Sequence, residues 1–351
     1  MESVERVAKV LRKDVPDRVP VGLHNFLMAC KMHGGRFDDI LRDGEAMAEA
    51  QLALWRAVGH DVLMLEIGVC AEAEALGAKI RYTADGPPHV EEPLIKKPSD
   101  LEELAVPDPE RTFPLTEMLK TTRIVTRETG GKVHINGRSD QGPAALACAL
   151  CGPEQFLTTL MDPDMRDWCR KLLDLCSRMN IAMGEAQLRA GAHSSTIGVA
   201  GVSLLSPALF DEFELPRVRA YCDALRRQGG FAIIHACGDE TILLENLIAS
   251  GADCLELDSG TNPETCKRAV QGRTSVLGMI DPAQVMRFGT PDDVRRQARQ
   301  MLRVMGPSGG FIMGPGCALP ADTPLENVLA LMGCAREDGV YDGGGRPKVT
   351  R

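Results

Sequence analysis

Eight short apolar runs, each followed by helix-forming sequence, predict an α/β fold with parallel strands and crossover helices, closed as a (β/α)8 TIM barrel. Two further observations favour a closed barrel over an open sheet. A chain of 351 residues suits one such barrel plus an extension. The residues best suited to metal or acid–base chemistry, His235, Cys237, Asp258, Asp281 and Cys317, also fall at the C-terminal ends of predicted strands, where barrels carry their chemistry. No GxGxxG follows a strand and no GxxxxGK[ST] occurs, so neither nucleotide-binding fingerprint is present.

Each element has a local reason. Residues 2–12 are amphipathic and read as an N-terminal helical extension. Residues 17–23 form a first strand with a proline at its edge, and 24–35 a loop and helix start. The Ala-rich stretch 45–58 is helical, and 60–66 is the second strand. The polar, Pro-rich sequence that follows predicts a hairpin insertion near 80–105. A helix then runs from 113 to a Gly-Gly stop at 130, and 132–137 is the third barrel strand. Helical pieces at 142–151 and 153–161 lead into a long helix ending near 190. From there the rhythm is regular, with strands at 193–199, 231–236, 253–258, 274–280 and 310–314, each followed by a helix. One domain is expected over 1–340, with 341–351 a flexible, Gly-rich tail.

Composition narrows the function. Hydrophobic residues make up 44% of the chain and aromatics only 4%, so the core is aliphatic. A net charge of −9 argues against nucleic-acid and polybasic membrane binding. No run of 18 apolar residues is present, and the charged N-terminus lacks the apolar centre of a signal peptide, so a cytoplasmic location is expected. The 12 cysteines follow no framework spacing, and most are expected to be free, buried thiols.

Two cysteines stand apart. In Phe231-Ala-Ile-Ile-His235-Ala-Cys237-Gly, a buried strand runs into a His-x-Cys. Residues i and i+2 on extended backbone face the same side, so His235 and Cys237 offer one nitrogen and one sulfur to one point. Cys317, in Gly314-Pro-Gly-Cys317, ends another apolar strand and supplies a third ligand. An N/S donor set of this kind suits Zn²⁺.

His235-Ala-Cys237-Gly, Gly278-Met-Ile-Asp281-Pro282, the run from Gly314 through Cys317 to Asn327, and Cys70-Ala-Glu-Ala-Glu-Ala-Leu-Gly-Ala78 resemble the uroporphyrinogen decarboxylase superfamily. More narrowly, they resemble its zinc-dependent, corrinoid-linked methyltransferase branch. The resemblance covers about residues 1–340 and implies a (β/α)8 barrel. It also implies that a carboxylate on the strand after His-x-Cys closes the metal shell. By position this is Asp258, with Glu256 as backup; the alternative role for Asp258 is a hydrogen bond that orients His235. The decarboxylase carries an Arg-Gln-Ala-Gly-Arg-Tyr stretch after its first strand, where this chain has Val21-Gly-Leu-His-Asn-Phe, and a functional Asp where this chain has Gly68.

The expected activity is therefore methyl transfer between a small molecule and the cobalt of a corrinoid. The small molecule is either a methylated donor, such as an aryl methyl ether or methylamine, or an acceptor thiol such as coenzyme M. No Asp-x-His-x-x-Gly run marks a corrinoid-binding domain, so the cobalamin is expected on a separate partner protein. A homodimer is compatible with this. The alternatives are porphyrinogen decarboxylation and a zinc-stabilised binding protein without turnover. Asp281 reads as a turn residue, Glu72 and Glu74 as solvated, and His24 and His134 as either substrate contacts or structural histidines.

Overall fold

The computed structural model describes residues 1–66, 68–84, 86–199 and 206–349. Eight strands form one parallel sheet: β1 (Gly22–Leu23), β2 (Val62–Leu65), β5 (His134–Gln141), β6 (Ser194–Gly198), β7 (Phe231–Ala236), β8 (Cys254–Leu257), β9 (Ser275–Ile280) and β10 (Phe311–Pro315). Between the second and third of these lies an antiparallel pair, β3 (Ile80–Arg81) and β4 (His89–Val90), which is the expected insertion. The sheet closes where Val21 bridges Met313 in parallel and Met313 N donates to Pro20 O at 2.9 Å. This is the predicted (β/α)8 barrel.

The interior follows the two-residue period of the strands. Val62 and Met64, Ile233, Cys254, Leu277 and Ile312 fill the lower half of the barrel. The N-terminal helix Ser3–Leu11 seals that end with Val7, Val10 and Leu11. Full burial of each such side chain contributes about 1.5–3 kcal/mol. Arg6 Nη1 anchors the plug on the buried Asp61 at 2.8 Å. On the β5–β6 side the filling is polar: Ser194 Oγ donates to Asn136 Oδ1 at 2.7 Å, and Asn136 Nδ2 donates to Thr196 Oγ1 at 2.9 Å.

Two expectations change in detail. Strand β5 runs on to Gln141, past the expected end at 137, and so carries Arg138 upward inside the barrel. The tail, expected to be loose, is hydrogen-bonded as far as Lys348: Tyr341 N donates to Asp17 O at 3.1 Å, Tyr341 OH to Gly306 O at 3.0 Å, and Lys348 N to Val340 O at 2.9 Å. Among the described residues no single helix is long and apolar enough to cross a membrane.

Candidate metal centre

The three ligands read from the sequence converge at the C-terminal end of the barrel. His235 Nε2 lies 2.9 Å from Cys237 Sγ and 3.8 Å from Cys317 Sγ, and the two sulfurs are 3.6 Å apart. Among the described residues this is the one group of three or more His, Cys, Asp or Glu whose ligand atoms all lie within 4.8 Å. Ligands placed tetrahedrally at zinc bond lengths are separated by roughly 3.3–3.8 Å; the two separations made by Cys317 fall in that range, and His235 and Cys237, at 2.9 Å, would part by a few tenths of an ångström to hold such a cation.

Backbone geometry brings the strand ends together. His235 is the last residue but one of β7, in a run buried from Ala232 onward, and Cys237 follows where the strand opens into a turn. Cys317 follows β10 through Gly316. A Cβ at Gly316 would lie 2.7 Å from Asp258 Cα, so only glycine lets that turn approach the end of β8. The thiols are electrostatically unequal. The hydrogen bond from Cys237, followed by the hydrogen bond and charge of His235, holds the Cys317 thiol down at about 4 against burial. Cys237 is pushed strongly up by Cys317 and by burial. The two thiols are thus pushed in opposite directions, and a bound cation would favour thiolate on both.

Beneath the ligands lies a layer of buried charge. Glu256 faces His235 across the β7–β8 register, with its Oε2 3.3 Å from His235 Nδ1. That nitrogen is buried, and no hydrogen bond satisfies it; Glu256 is its ion-pair contact. Arg138 binds both carboxylates, with Nη1 2.9 Å from Glu256 Oε2 and Nε 2.8 Å from Glu66 Oε2. His24 Nε2 is 2.7 Å from Glu66 Oε2, and its Nδ1 is 3.5 Å from Glu256 Oε1. Burial and the Arg138 charge oppose protonation of His24, and the two glutamates outweigh them, raising it to about 9. Glu256 is held far below the usual carboxylate range: burial opposes this, and His235 and Arg138 override it. The layer is two anions balanced by two cations.

The sequence-derived carboxylates therefore occupy different places. Glu256, not Asp258, is the carboxylate beside His235. Asp258 is not among the three converging residues. Its Oδ2 accepts from Gly238 N at 3.2 Å and its Oδ1 from Ser259 N at 2.6 Å, which ties the turn after Cys237 to the end of β8. Asp281 is a turn residue as read, accepting from Ala283 N and Gln284 N, both at 2.8 Å. Glu72 is not solvated: it is fully buried and accepts from Asn180 Nδ2 at 2.5 Å. His134 sits near the opposite end of the barrel, 2.9 Å from Ser194 Oγ. Sequence reasoning assigned no role to Glu66 or Arg138. The usable signal was position, since each follows or extends a barrel strand at the end where the ligands lie.

A parallel barrel carrying its polar cluster at the strand C-termini is the architecture of a barrel enzyme. The family model for uroporphyrinogen decarboxylase (URO-D) matches residues 2–337, and the chain belongs to that family. It is 25% identical over 343 residues to the methylcobamide:CoM methyltransferase MtbA of Methanosarcina acetivorans, covering 95% of this chain and 97% of that protein. It is 28% identical over 304 residues to the uroporphyrinogen decarboxylase of Syntrophotalea carbinolica, covering 85% and 86%. The fold superposes on a methyltransferase from Methanosarcina mazei with a TM-score of 0.87 at 24% identity, covering 96% of this chain and 99% of that one.

Proposed function

We propose that this protein is a zinc-dependent methyltransferase of the decarboxylase family, moving a methyl group between a small molecule and the cobalt of a corrinoid held by a separate protein. The observation that carries the reading is the convergence of His235 Nε2, Cys237 Sγ and Cys317 Sγ at the barrel mouth. Three protein ligands leave a position for substrate, which is the arrangement of catalytic zinc sites. Similarity to a methylcobamide:CoM methyltransferase over nearly the whole of both chains supports the same reading.

When bound, zinc supplies mild Lewis acidity to the heteroatom that carries or receives the methyl group. The protein does the rest. Glu256 sits where it accepts from the Nδ1–H of His235, which leaves the Nε2 lone pair for the cation. Arg138 and His24 keep that carboxylate ionised. Asp258 fixes the turn at Gly238, and with it the direction of Cys237. The mouth aligns donor and acceptor, which is most of what a displacement at a methyl carbon requires. Decarboxylation of a porphyrinogen is disfavoured: where the decarboxylase has arginines, this chain places His24, which is already engaged by two glutamates.

The test is to incubate the zinc-loaded chain with reduced cobalamin and a panel of methylated donors, following formation of the methyl–cobalt bond by its absorbance. Methylation that is lost in Cys317→Ala supports the reading. Release of CO₂ from uroporphyrinogen, without methyl transfer from any donor, overturns it.

A further inference from the structure

The N-terminal end of the barrel carries an opening of its own, at the opposite end from the cysteines. A groove of about 350 Å³ lies between the helix Ser3–Leu11 and the starts of β5, β6 and β7, within the size range of small-ligand sites. Val4 and Ala8 of the helix form one wall, and Leu188 and Phe231 are apolar parts of the other. The polar side chains lining it are Arg12, His134, His193 and Gln228. Among the described residues no aspartate or glutamate lines it, although the chain as a whole carries a net charge of −9.

Arg12 is exposed and uncommitted. Its guanidinium carbon lies 5.6 Å from the centroid of the Phe231 ring, a cation–π contact that keeps it beside the groove. Other basic side chains at this end return to backbone carbonyls: Arg226 Nη2 donates to Gly251 O at 2.7 Å and Lys267 Nζ to Pro307 O at 2.6 Å. The Arg12 side chain has neither a carbonyl nor a carboxylate partner among the described residues.

Two imidazoles add fixed polarity. Burial pushes both His134 and His193 below the usual histidine range, so both are neutral. His193 Nδ1 accepts from Ile135 N at 3.0 Å. Its ring proton is therefore on Nε2, which has no partner among the described residues. Ser194 Oγ gives its proton to Asn136 Oδ1 and so accepts from His134 Nε2 at 2.9 Å. That leaves His134 Nδ1 as a buried lone pair without a donor.

We propose that this groove binds a small organic carboxylate with an apolar body. The planar carboxylate matches the Arg12 fork and accepts from His193 Nε2–H, and the body lies against Val4, Ala8 and Leu188. The unmatched His134 Nδ1 is the place for a hydroxyl of the occupant or a bridging water. An occupant so placed joins the helix that plugs the barrel to the starts of β6 and β7. The site is independent of the metal centre and of the methyl-transfer reading.

The test is calorimetric titration of the zinc-loaded protein with benzoate. Benzamide serves as the neutral isostere, and inorganic phosphate as an anion without an apolar body. The expected result is saturable binding of benzoate at millimolar concentration or below, with benzamide and phosphate at least tenfold weaker. Arg12→Gln, at an exposed helix end, should weaken benzoate at least tenfold with zinc content unchanged. Cys317→Ala should bind benzoate as the parent does, which separates the groove from coordination of a carboxylate at the metal centre. Benzamide or phosphate binding as tightly as benzoate, no saturable binding, an unaffected Arg12→Gln, or loss of benzoate binding in Cys317→Ala overturns the proposal.

Discussion

Glu256 Oε2 lies 3.3 Å from His235 Nδ1, and the two residues sit opposite each other in the β7–β8 register. Paired residues on neighbouring parallel strands point to the same side of the sheet, so this contact is built into the barrel rather than left to a loop. It places a carboxylate beside Nδ1 of the candidate ligand His235 and joins that residue to the buried charge layer below.

Glu256→Gln should therefore weaken zinc binding by roughly 10–100-fold while keeping the ligands themselves. A competition titration against a chromophoric chelator measures this. Unchanged affinity would mean that the carboxylate does not tune His235.

Arg138→Leu removes the cation that Glu66 and Glu256 share. Two fully buried carboxylates would then be left with only the imidazoles of His24 and His235, and loss of one partner of a buried pair costs about 3–5 kcal/mol. Urea unfolding of the variant should show a loss of that order, and a loss below about 1 kcal/mol would contradict the pairing.

Asp258→Asn should retain zinc, because in this structure Asp258 holds Gly238 N and Ser259 N. Cys317→Ala should lose most zinc and most activity while keeping the fold. Loss of zinc from Asp258→Asn would put that carboxylate in the coordination shell.

Away from the centre, Glu214 is fully buried and caps the helix Pro143–Cys151 by accepting from Ala144 N at 3.2 Å. Burial raises its carboxyl to about 7, against the pull of Ala144 N and Arg217, from an ordinary value of 4.5. Between pH 4.5 and 7 the folded protein holds a proton that the unfolded chain has released, so this group's contribution to stability falls as pH rises through that window and is level above it. The total change is roughly 3 kcal/mol. Glu214→Gln should remove this decline from a series of melting temperatures taken across the window. A variant that keeps the wild-type slope would place the titration elsewhere.

The strands were legible because a parallel strand buried on both faces reads as a continuous apolar run, as Phe231-Ala-Ile-Ile does. The candidate ligands were legible because His235 and Cys237 are two residues apart at the end of such a run. The charge layer was not, because its pairs are long-range. Arg138 and Glu256 are 118 residues apart, and no local pattern links them. The expected end of β5 at 137 also stopped one residue before Arg138. Choosing between Asp258 and Glu256 required knowing which carboxylate faces into the barrel beside His235, which is a matter of register. Glu72 misled for a related reason: a short Ala/Glu helix looks solvated until the long helix carrying Asn180 packs over it.

The most direct test is the zinc content of the purified protein by elemental analysis, with Cys237→Ala measured beside it. About one zinc per chain, lost in the variant, is the predicted result. Metal-free protein after expression in zinc-supplemented medium, or a Cys237→Ala variant that keeps its zinc, would contradict the account.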